Sequence, residues 1–437
     1  MDDIRENKMG TMPVGRLLVT MSTPMMLSML TQALYNIVDS IFVAMISEEA
    51  LTAVSLAFPL QSLMIAFGVG TGVGVNALVS RYLGARKPEK ANAIASTGVR
   101  LTFITYAFFA IFVLLVSEPF FRFQIQDEQI LSYALTYMRI VGLLSIGMFN
   151  QAMLEKLLQS TGKTHLSMIT QIVGAVINMI MDPILIFGYF FFPEMGIAGA
   201  AVATIFGQTV GGGLALYFNK TKNKEIRISF KDYKFTLENV KKIYSIGLPS
   251  IIMQAIGSLM TFGFNKILIV FSPTATALFG VYFKLQSFVL MPVFGLNNGM
   301  VPIVSYNYGA KNPERIMKTY KLSVISAMVM MVIGIVIFWT IPDKLLLLFS
   351  ASDQMLAMGI PALRIISIHF IMAGFSIVCS SFFQALGHGM LSMVNSIIRQ
   401  LGVLLPAAYI LSRIGGLSAV WWAFPIAELA AVTMCAI

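Results

Sequence analysis

The stretch VSRYLGARKPEK, residues 79–90, returns 225 positions later as VSYNYGAKNPER, residues 304–315. The same shift, without a gap, pairs further matching residues: Pro24 with Pro249, Leu60-Gln61-Ser62 with Leu285-Gln286-Ser287, Gly70 with Gly295, Gly74 with Gly299, Arg139 with Arg364, Gln159 with Gln384, and Leu166-Ser167-Met168 with Leu391-Ser392-Met393. Agreement over so long an ungapped alignment does not arise by chance. A period of this length indicates that the chain is an internal duplication.

The composition places both halves of the duplication in a membrane. Of 437 residues, 57% are apolar and 11% are charged, whereas a soluble domain carries roughly 25% charged residues. The mean hydropathy is +0.81. Only helices and closed barrels satisfy their backbone groups in lipid, and the apolar runs here lack the alternation of barrel strands. The sequence therefore predicts an all-α integral membrane protein.

Apolar segments long enough to cross a bilayer occur twelve times: residues 16–44, 52–79, 93–116, 132–156, 166–190, 196–217, 240–270, 277–303, 317–341, 358–383, 392–412 and 415–437. Each half has six, an even number, so both halves enter the membrane in the same sense as a parallel repeat. We predict twelve transmembrane helices in two six-helix lobes, an N-lobe at 1–218 and a C-lobe at 240–437, joined by a cytoplasmic linker at 219–239.

The positive charges are distributed unequally between the two sides of the predicted membrane. With the N-terminus inside, 21 of the 30 Lys and Arg residues fall in inward loops, and only Arg122, Lys344 and Arg413 fall in outward loops. The inward set includes Arg5, Lys156 and Lys163. By the positive-inside rule, this asymmetry predicts a multi-pass protein of the plasma (inner) membrane with both termini cytoplasmic. The net charge of +10 thus reports topology and contact with membrane lipids, and we expect no nucleic-acid partner.

Two carboxylates lie deep in predicted spans of the first half. At the shift of 225, Asp39 corresponds to Phe264 and Asp182 corresponds to Ala407. A charge at the centre of a span costs at least about 2.5–3.5 kcal/mol, so it marks a functional site unless a partner explains it. Because the second half lacks both acids, a scaffold role common to the two halves is disfavoured.

Polar neighbours share a helix face with each carboxylate. Gln32, Tyr35, Asn36 and Asp39 form one stripe of the first span, and Gln171, Asn178 and Asp182 form one stripe of the fifth. Pro183 frees the carbonyl oxygen near Met179, one turn earlier. Such an oxygen-rich group suits a hard monovalent cation or a shared proton. The alternative is a satisfied interhelical hydrogen-bond network without a transport role.

At these residues the chain resembles the multidrug and toxic compound extrusion (MATE) family of antiporters. The resemblance covers nearly the whole chain and rests on these motifs: QALYNIVDSIFVA from Gln32, INMIMDPILIFG from Ile177, GIAGAAVATIFGQ from Gly196, and the paired loops YLGARKPEKA and YNYGAKNPERI. It implies a proton or cation site, with sodium as the metal, at Asp39, Asn178, Asp182 and Thr204.

The same resemblance implies a substrate cavity in the N-lobe. Its polar lining matches Gln32, Tyr35, Tyr137 and Asn150, and Asn36 belongs to the same stripe of the first span. Some family members also carry acids in the seventh and tenth spans. Here those spans offer Asn265, Lys266 and His369, which argues against a coupling role for the C-lobe.

Several other features have a structural or a functional interpretation. The glycine-rich GVGTGVG at residues 68–74 predicts close helix packing. Gly162-Lys163-Thr164 lacks the glycine and the strand of a phosphate loop, so we expect no nucleotide. Cys379 and Cys435 fall in apolar runs and predict core packing. Four basic residues lie deep in predicted spans: Lys266, Lys284, His369 and Arg399. They either pair with a partner such as Glu428 or bind an anionic group.

The sequence thus predicts a monomeric secondary antiporter that exports amphipathic, often cationic small molecules in exchange for sodium or protons, with no other cofactor. A lipid-linked oligosaccharide flippase of the same plan would need a strongly cationic central cavity. An ion channel would need a continuous polar pore, to which the second half contributes few groups. No HExxH or GxSxG signature supports an enzyme.

Overall fold

The protein is described by a computed structural model that covers residues 7–349 and 351–436. Arg5 and the outermost residues of the two predicted lobes therefore lie outside the described part. Within it every regular element is helical, and a π-helical turn at Ile398–Leu404 separates α15 from α16. The helices are α1 Lys8–Thr11, α2 Val14–Ala44, α3 Glu48–Gly84, α4 Pro88–Gln124, α5 Glu128–Leu143, α6 Ile146–Ser160, α7 Thr164–Phe187, α8 Ile197–Thr221, α9 Leu237–Leu268, α10 Pro273–Gly309, α11 Pro313–Thr340, α12 Pro342–Leu347, α13 Asp353–Ser367, α14 Phe370–Ala385, α15 Gly389–Ile397, α16 Leu405–Val420 and α17 Ala423–Ala436.

The helices account for the predicted membrane spans. In the described residues, nine stretches are long and apolar enough to cross a bilayer: α2, α3, α4, α7, α8, α9, α10, α11 and the α15–α16 run. The pairs α5–α6 and α13–α14 each make one further span that is bent by 48°. The twelfth predicted span corresponds to α17, a shorter apolar helix of 14 residues. The prediction of an all-α, multi-pass membrane protein is confirmed.

The fourth and tenth spans are broken where the sequence predicted continuous helices, and both breaks have the same local cause. The Ser145 hydroxyl donates to Gly142 O at 2.7 Å, and His369 Nδ1 contacts Ile366 O at 2.5 Å. In both cases a side chain engages the carbonyl three residues earlier, which competes with the helical backbone bond. The hydropathy pattern does not report such local hydrogen bonds.

The eleventh span is also less regular than predicted. The π-helical turn precedes Pro406, which cannot donate the backbone bond of a regular helix. Gly416 then breaks the helix with φ 66° and ψ −160°, at the second residue of the span predicted at 415–437. Its counterpart is Gly196, with φ 53°, which precedes α8. The last helices of the two lobes therefore correspond at a shift of 220, because the connection before Gly416 is five residues shorter than the one before Gly196.

The duplication is visible in the helix bounds and in the hydrogen bonds. Adding 225 to both ends of α3 gives both ends of α10. Ser80 Oγ donates to Ser160 O at 2.9 Å in the N-lobe. The corresponding Ser305 Oγ donates to Ala385 O at 2.8 Å in the C-lobe. The two halves are thus copies of one six-span unit.

The lobes meet where the ends of α3 and α10 cross. A Cβ atom on Gly84 would lie 1.8 Å from Tyr306 O, and one on Gly309 would lie 1.9 Å from Arg81 O. These contacts are reciprocal under the shift of 225, so the pseudo-twofold axis passes between them. We call this end of the bundle the basic end, after the cations at the adjoining helix termini: Arg81, Arg86, Lys87, Lys90, Lys311, Arg315 and Lys318.

Glycines also let each lobe pack its second span on the first span of the other lobe. A Cβ on Gly74 of α3 would lie 2.3 Å from Ile243 O of α9. A Cβ on Gly299 of α10 would lie 2.4 Å from Ser22 Oγ of α2. The predicted role of the glycine-rich stretch at residues 68–74 in close helix packing is confirmed.

The connection between the lobes, residues 222–236, is folded against the N-lobe at the basic end. Lys163 Nζ pairs with Glu225 at 3.0 Å, and Asn7 also donates to Glu225. Lys163 is therefore engaged by a carboxylate of the linker.

Candidate functional site

The N-lobe site begins with the packing of α7 on α8. A Cβ on Gly207 of α8 would lie 2.5 Å from Gly174 O of α7, so the two backbones are nearly in contact. This approach brings Asn178 opposite Thr204, and the Asn178 amide donates to the Thr204 hydroxyl at 3.4 Å. The hydroxyl in turn donates to Ala200 O at 3.0 Å. The Asn178 carbonyl oxygen remains available as an acceptor.

Asp39 of α2 and Asp182 of α7 complete this group. Their carboxyl groups lie next to each other, and Asp182 has no solvent exposure. Among the described residues no donor reaches four buried acceptor atoms: Asp39 Oδ1, Asn178 Oδ1, Asp182 Oδ1 and Asp182 Oδ2. Two adjacent buried carboxylates cannot both stay ionised without a cation or a shared proton. Among the described residues, these four atoms are not part of a satisfied hydrogen-bond network.

Four residues of this group carry side-chain oxygen atoms that could bind a small cation. Carboxylate, amide and hydroxyl oxygens are the ligands of hard cations, and Asp39, Asn178, Asp182 and Thr204 supply only such atoms. The α7 helix runs through Pro183 to Phe187 without a break. The sequence therefore identified a set of residues that the fold brings together from α2, α7 and α8.

The predicted substrate residues fall into two groups. The Tyr35 hydroxyl lies beside Thr204, and Tyr137 of α5 is almost fully buried with its hydroxyl near Gln61. Gln32 and Asn36 are exposed on α2, and Asn150 is half-buried on α6. Tyr35 and Tyr137 thus border the carboxylates, whereas Gln32 and Asn36 face outward from the helix packing.

Gln171 does not belong to the carboxylate group, contrary to the stripe predicted for the fifth span. Its amide donates to Glu155 Oε2 at 2.9 Å. Thr170 and Gln151 donate to Glu155 Oε1 at 2.9 and 3.0 Å. Gln171 lies about two turns nearer the start of α7 than Asn178, so it meets Glu155 of α6, whereas Asn178 meets Thr204 of α8.

Lys156 was assigned to an inward loop by the sequence analysis, and this assignment is wrong. It lies in α6 and is buried. Its ammonium group donates to Gln159 Oε1 at 3.0 Å and, across the lobe boundary, to Asn298 Oδ1 of α10 at 2.9 Å. The internal repeat could have pointed to Glu155 and Lys156, because their counterparts in the C-lobe, Ser380 and Ser381, are uncharged.

The corresponding positions of the C-lobe carry apolar side chains. Phe264 corresponds to Asp39, and Phe424 corresponds to Thr204 at the shift of 220; their ring centroids are 5.0 Å apart. Val403 and Ala407 occupy the positions of Asn178 and Asp182. The C-lobe therefore has an aromatic contact where the N-lobe has its acceptor group.

The deep cations of the C-lobe have different kinds of neighbour. Arg399 forms an ion pair with Glu428 at 2.7 Å, and Ser376 donates to the other Glu428 oxygen at 2.6 Å. Structural pairing, one of the two interpretations, is confirmed for Arg399. Lys266 and Lys284 instead lie over the Phe262 and Phe349 rings, at 5.5 and 5.8 Å. His369 faces the Phe424 ring at 5.6 Å.

Comparison with known proteins decides the family. The sequence pattern of the MatE family matches residues 24–184 and again residues 249–410. The two matches begin 225 residues apart, which is the period of the duplication. The chain belongs to the MatE family. The resemblance found in its sequence motifs is thereby confirmed.

Curated relatives cover nearly the whole chain. The multidrug export protein MepA of Staphylococcus haemolyticus is 26% identical over 416 residues, which span 95% of this chain and 90% of MepA. A protein of Shewanella oneidensis named FAD transporter is 28% identical over 424 residues, which span 95% of this chain and 92% of that protein. The family and these relatives are transporters, so this MatE protein is a membrane transporter and not an enzyme.

Solved structures confirm the fold. A MOP-superfamily transporter from Pyrococcus furiosus, described as having a binding pocket of reverse polarity, superposes with a TM-score of 0.94 at 25% identity and covers 100% of this chain and 97% of its own. The outward-facing conformation of a multidrug resistance MATE transporter superposes with a TM-score of 0.93 at 25% identity, covering 99% and 96%. The two-lobed arrangement of this MatE protein is that of these transporters.

Proposed function

We propose that this MatE protein is a secondary antiporter that exports amphipathic, often cationic compounds, driven by inward movement of sodium or protons through the N-lobe site. One observation carries the proposal: among the described residues, four buried acceptor atoms without donors come together in the N-lobe, and the corresponding C-lobe positions hold Phe264, Val403, Ala407 and Phe424. The relative named as a multidrug export protein supports the substrate class.

The oxygen atoms of the N-lobe site suit a coupling ion as ligands. Asp39, Asn178, Asp182 and Thr204 would hold sodium through oxygen atoms alone, or the two carboxyl groups would share a proton. The bound ion would supply the positive charge that two adjacent carboxylates need. Asn178 keeps its carbonyl aimed at the site because its amide is used by Thr204.

The same oxygens can attract a cationic substrate. A drug cation and the coupling ion would then compete for the charge of Asp39 and Asp182, which is the exchange that an antiporter requires. Tyr35 and Tyr137 add aromatic surface next to these acids, so a lipophilic cation would meet rings and carboxylates together. A ligand changes the balance between two transporter shapes only by its differential affinity for them.

We further propose that the basic end faces the cytoplasm and that the protein acts as a monomer. The excess of Lys and Arg at this end supports that orientation. Because α3 and α10 are in contact there at Gly84 and Gly309, the pathway is closed at the basic end, which in the proposed orientation is the cytoplasmic side. The similarity to an outward-facing transporter is consistent with this state.

A flippase for lipid-linked oligosaccharides is a weaker candidate. It would need a cationic cavity for the pyrophosphate group, whereas the N-lobe group offers oxygen acceptors. Exchange of FAD, suggested by the name of one relative, meets the same objection at this site, because FAD carries phosphates.

The test is ethidium efflux from proteoliposomes that contain the purified protein, with sodium and proton gradients imposed one at a time. We expect efflux only when one of the two ions moves down its gradient in the opposite direction. Equal efflux with both gradients collapsed, or a steady single-channel current in bilayers, would contradict antiport.

A further inference from the structure

A cavity of about 740 Å³ lies at the basic end, beside the crossing of α3 and α10, and the N-lobe site makes no use of it. Its lining combines the ends of α3 and α10, the start of α11 and the end of α14. A cavity of this volume is within the range of small-molecule binding sites. It is therefore large enough for a lipid headgroup with the first part of its acyl chains.

The lining is cationic at one side and apolar at the other. Arg81, Lys87 and Lys311 supply three positive charges, and the described residues that line the cavity include no carboxylate. The Arg81 guanidinium group lies over the Tyr308 ring, 4.4 Å from its centroid, which holds it in place. The apolar side is formed by Pro313, Ile316, Met317, Phe382 and Leu386.

The duplication provides a control for this cavity, because the corresponding groove of the N-lobe is filled by the chain itself. Leu157 and Thr161, the counterparts of Phe382 and Leu386, are buried. Asn223 of the linker donates to Leu157 O at 3.4 Å, and Asn7 donates to Thr161 O at 3.1 Å.

The linker also covers the start of α4. The backbone N–H of Arg227 donates to Asn92 Oδ1 at 2.8 Å, and Ile226 is buried next to it. The counterpart of Asn92 is Met317 of α11, which lines the cavity and is 45% exposed. The same groove is thus covered in one lobe and open in the other among the described residues.

We propose that the open groove binds an anionic phospholipid of the cytoplasmic leaflet. Its phosphate lies between Arg81, Lys87 and Lys311, and the start of an acyl chain packs on Ile316 and Met317. Basic pockets between transmembrane helices on the cytoplasmic side recognise such headgroups. The inference rests on the orientation proposed above and not on the coupling ion or the exported compounds.

Binding there would favour one transporter shape. Arg81 and Lys87 belong to the N-lobe, whereas Lys311 belongs to the C-lobe, so one phosphate would bridge the two lobes where they touch. When the lobes separate at the basic end, these cations move apart and the phosphate loses contacts. An anionic lipid would therefore stabilise the state that is closed towards the cytoplasm.

The experiment compares lipid retention by two purified double variants and the wild type. Lys87→Gln with Lys311→Asn removes two cavity cations; Asn suits position 311, where φ is +56°. The matched control, Arg86→Asn with Lys90→Gln, removes two charges beside the corresponding groove of the N-lobe, which the chain itself fills. Asn suits position 86 as well, where φ is +54°. Each protein is placed in nanodiscs of phosphatidylcholine with or without phosphatidylglycerol, and retained lipid is measured by native mass spectrometry.

We expect the wild type and the control to prefer phosphatidylglycerol, and the cavity variant to lose about 20- to 30-fold of that preference, since each lysine near a membrane surface contributes about a factor of five. The thermal midpoint should rise with phosphatidylglycerol in the first two proteins only. Unchanged retention in the cavity variant would overturn the proposal. So would an equal rise with inorganic phosphate in phosphatidylcholine, which would indicate a small-anion site. Neither readout involves transport, so the antiport proposal stands or falls separately.

Discussion

The rings of Phe264 and Phe424 contact each other, with centroids 5.0 Å apart, at the C-lobe positions that correspond to Asp39 and Thr204 of the N-lobe. Phe264 is fully buried. An aromatic contact offers no ligand to a small cation and no acceptor to a proton. The two copies of the duplicated unit have therefore diverged here, and the proposed coupling group of the N-lobe has no oxygen ligands at the corresponding described positions of the C-lobe.

Tyr35 should contribute to the affinity for cationic compounds. Its ring lies beside the carboxylates, so a lipophilic cation would gain about 0.5–2 kcal/mol of cation–π attraction. We expect Tyr35→Ala to raise the apparent KM for cationic dyes about 2- to 30-fold and to leave neutral dyes nearly unaffected. Tyr35→Phe, which keeps the ring, is the control. Equal effects of the alanine substitution on both dye classes would show that Tyr35 serves packing alone.

The Lys156–Asn298 hydrogen bond should help to hold the lobes together at the basic end. Asn298→Ala leaves the buried ammonium group with one partner fewer, which costs about 1–3 kcal/mol. We expect a larger population with the basic end open, measured as longer distances between spin labels at Lys90 and Lys318. Asn297→Ala is the matched control, because neither side-chain polar atom of Asn297 has a described partner. Identical distance distributions for the two variants would disprove a bridging role of Lys156.

The crossing of α3 and α10 should tolerate no side chain at Gly84. A Cβ there would lie 1.8 Å from Tyr306 O, a backbone atom that cannot rotate away. We expect Gly84→Ala to lower the thermal midpoint, by an overpacking cost of about 1–3 kcal/mol. Gly213→Ala in α8 is the comparison, since a Cβ there meets nothing within 4 Å, and it should stabilise its helix by about 0.5–1 kcal/mol. A midpoint that is unchanged in Gly84→Ala would mean that the crossing is looser than the structure shows.

Most of the architecture could be predicted from the sequence because two strong signals agree. Hydropathy gives the spans, and the ungapped repeat gives their grouping, as the bounds of α3 and α10 show. The breaks at Ser145 and His369 could not be predicted, because each depends on one side chain engaging a carbonyl three residues earlier. Local hydrogen bonds of this kind do not alter the hydropathy of a span.

Helical periodicity explains both what could be predicted of the carboxylate site and the one residue, Gln171, that was assigned to it wrongly. Helical periodicity placed Asn178 and Asp182 on one face, and the duplicate showed that their polarity is particular to the N-lobe. Periodicity also placed Gln171 on that face, but only the rotation of α7 against α6 and α8 decides which neighbour each residue meets. Lys156 was misplaced because a cation near a span end resembles a loop residue, and Glu155 beside it was not singled out.

The coupling role of Asp39 and Asp182 is tested most directly by ethidium efflux from proteoliposomes of Asp39→Asn and Asp182→Asn under the gradient that drives the wild type. Exposed Asp343→Asn is the control. Each site variant should insert and fold normally, because removal of a buried charge relieves its desolvation cost. We predict that ion-driven efflux is abolished in both site variants and retained in the control. More than about half of the wild-type coupled rate in either site variant would contradict the assignment of the N-lobe carboxylates as the coupling site.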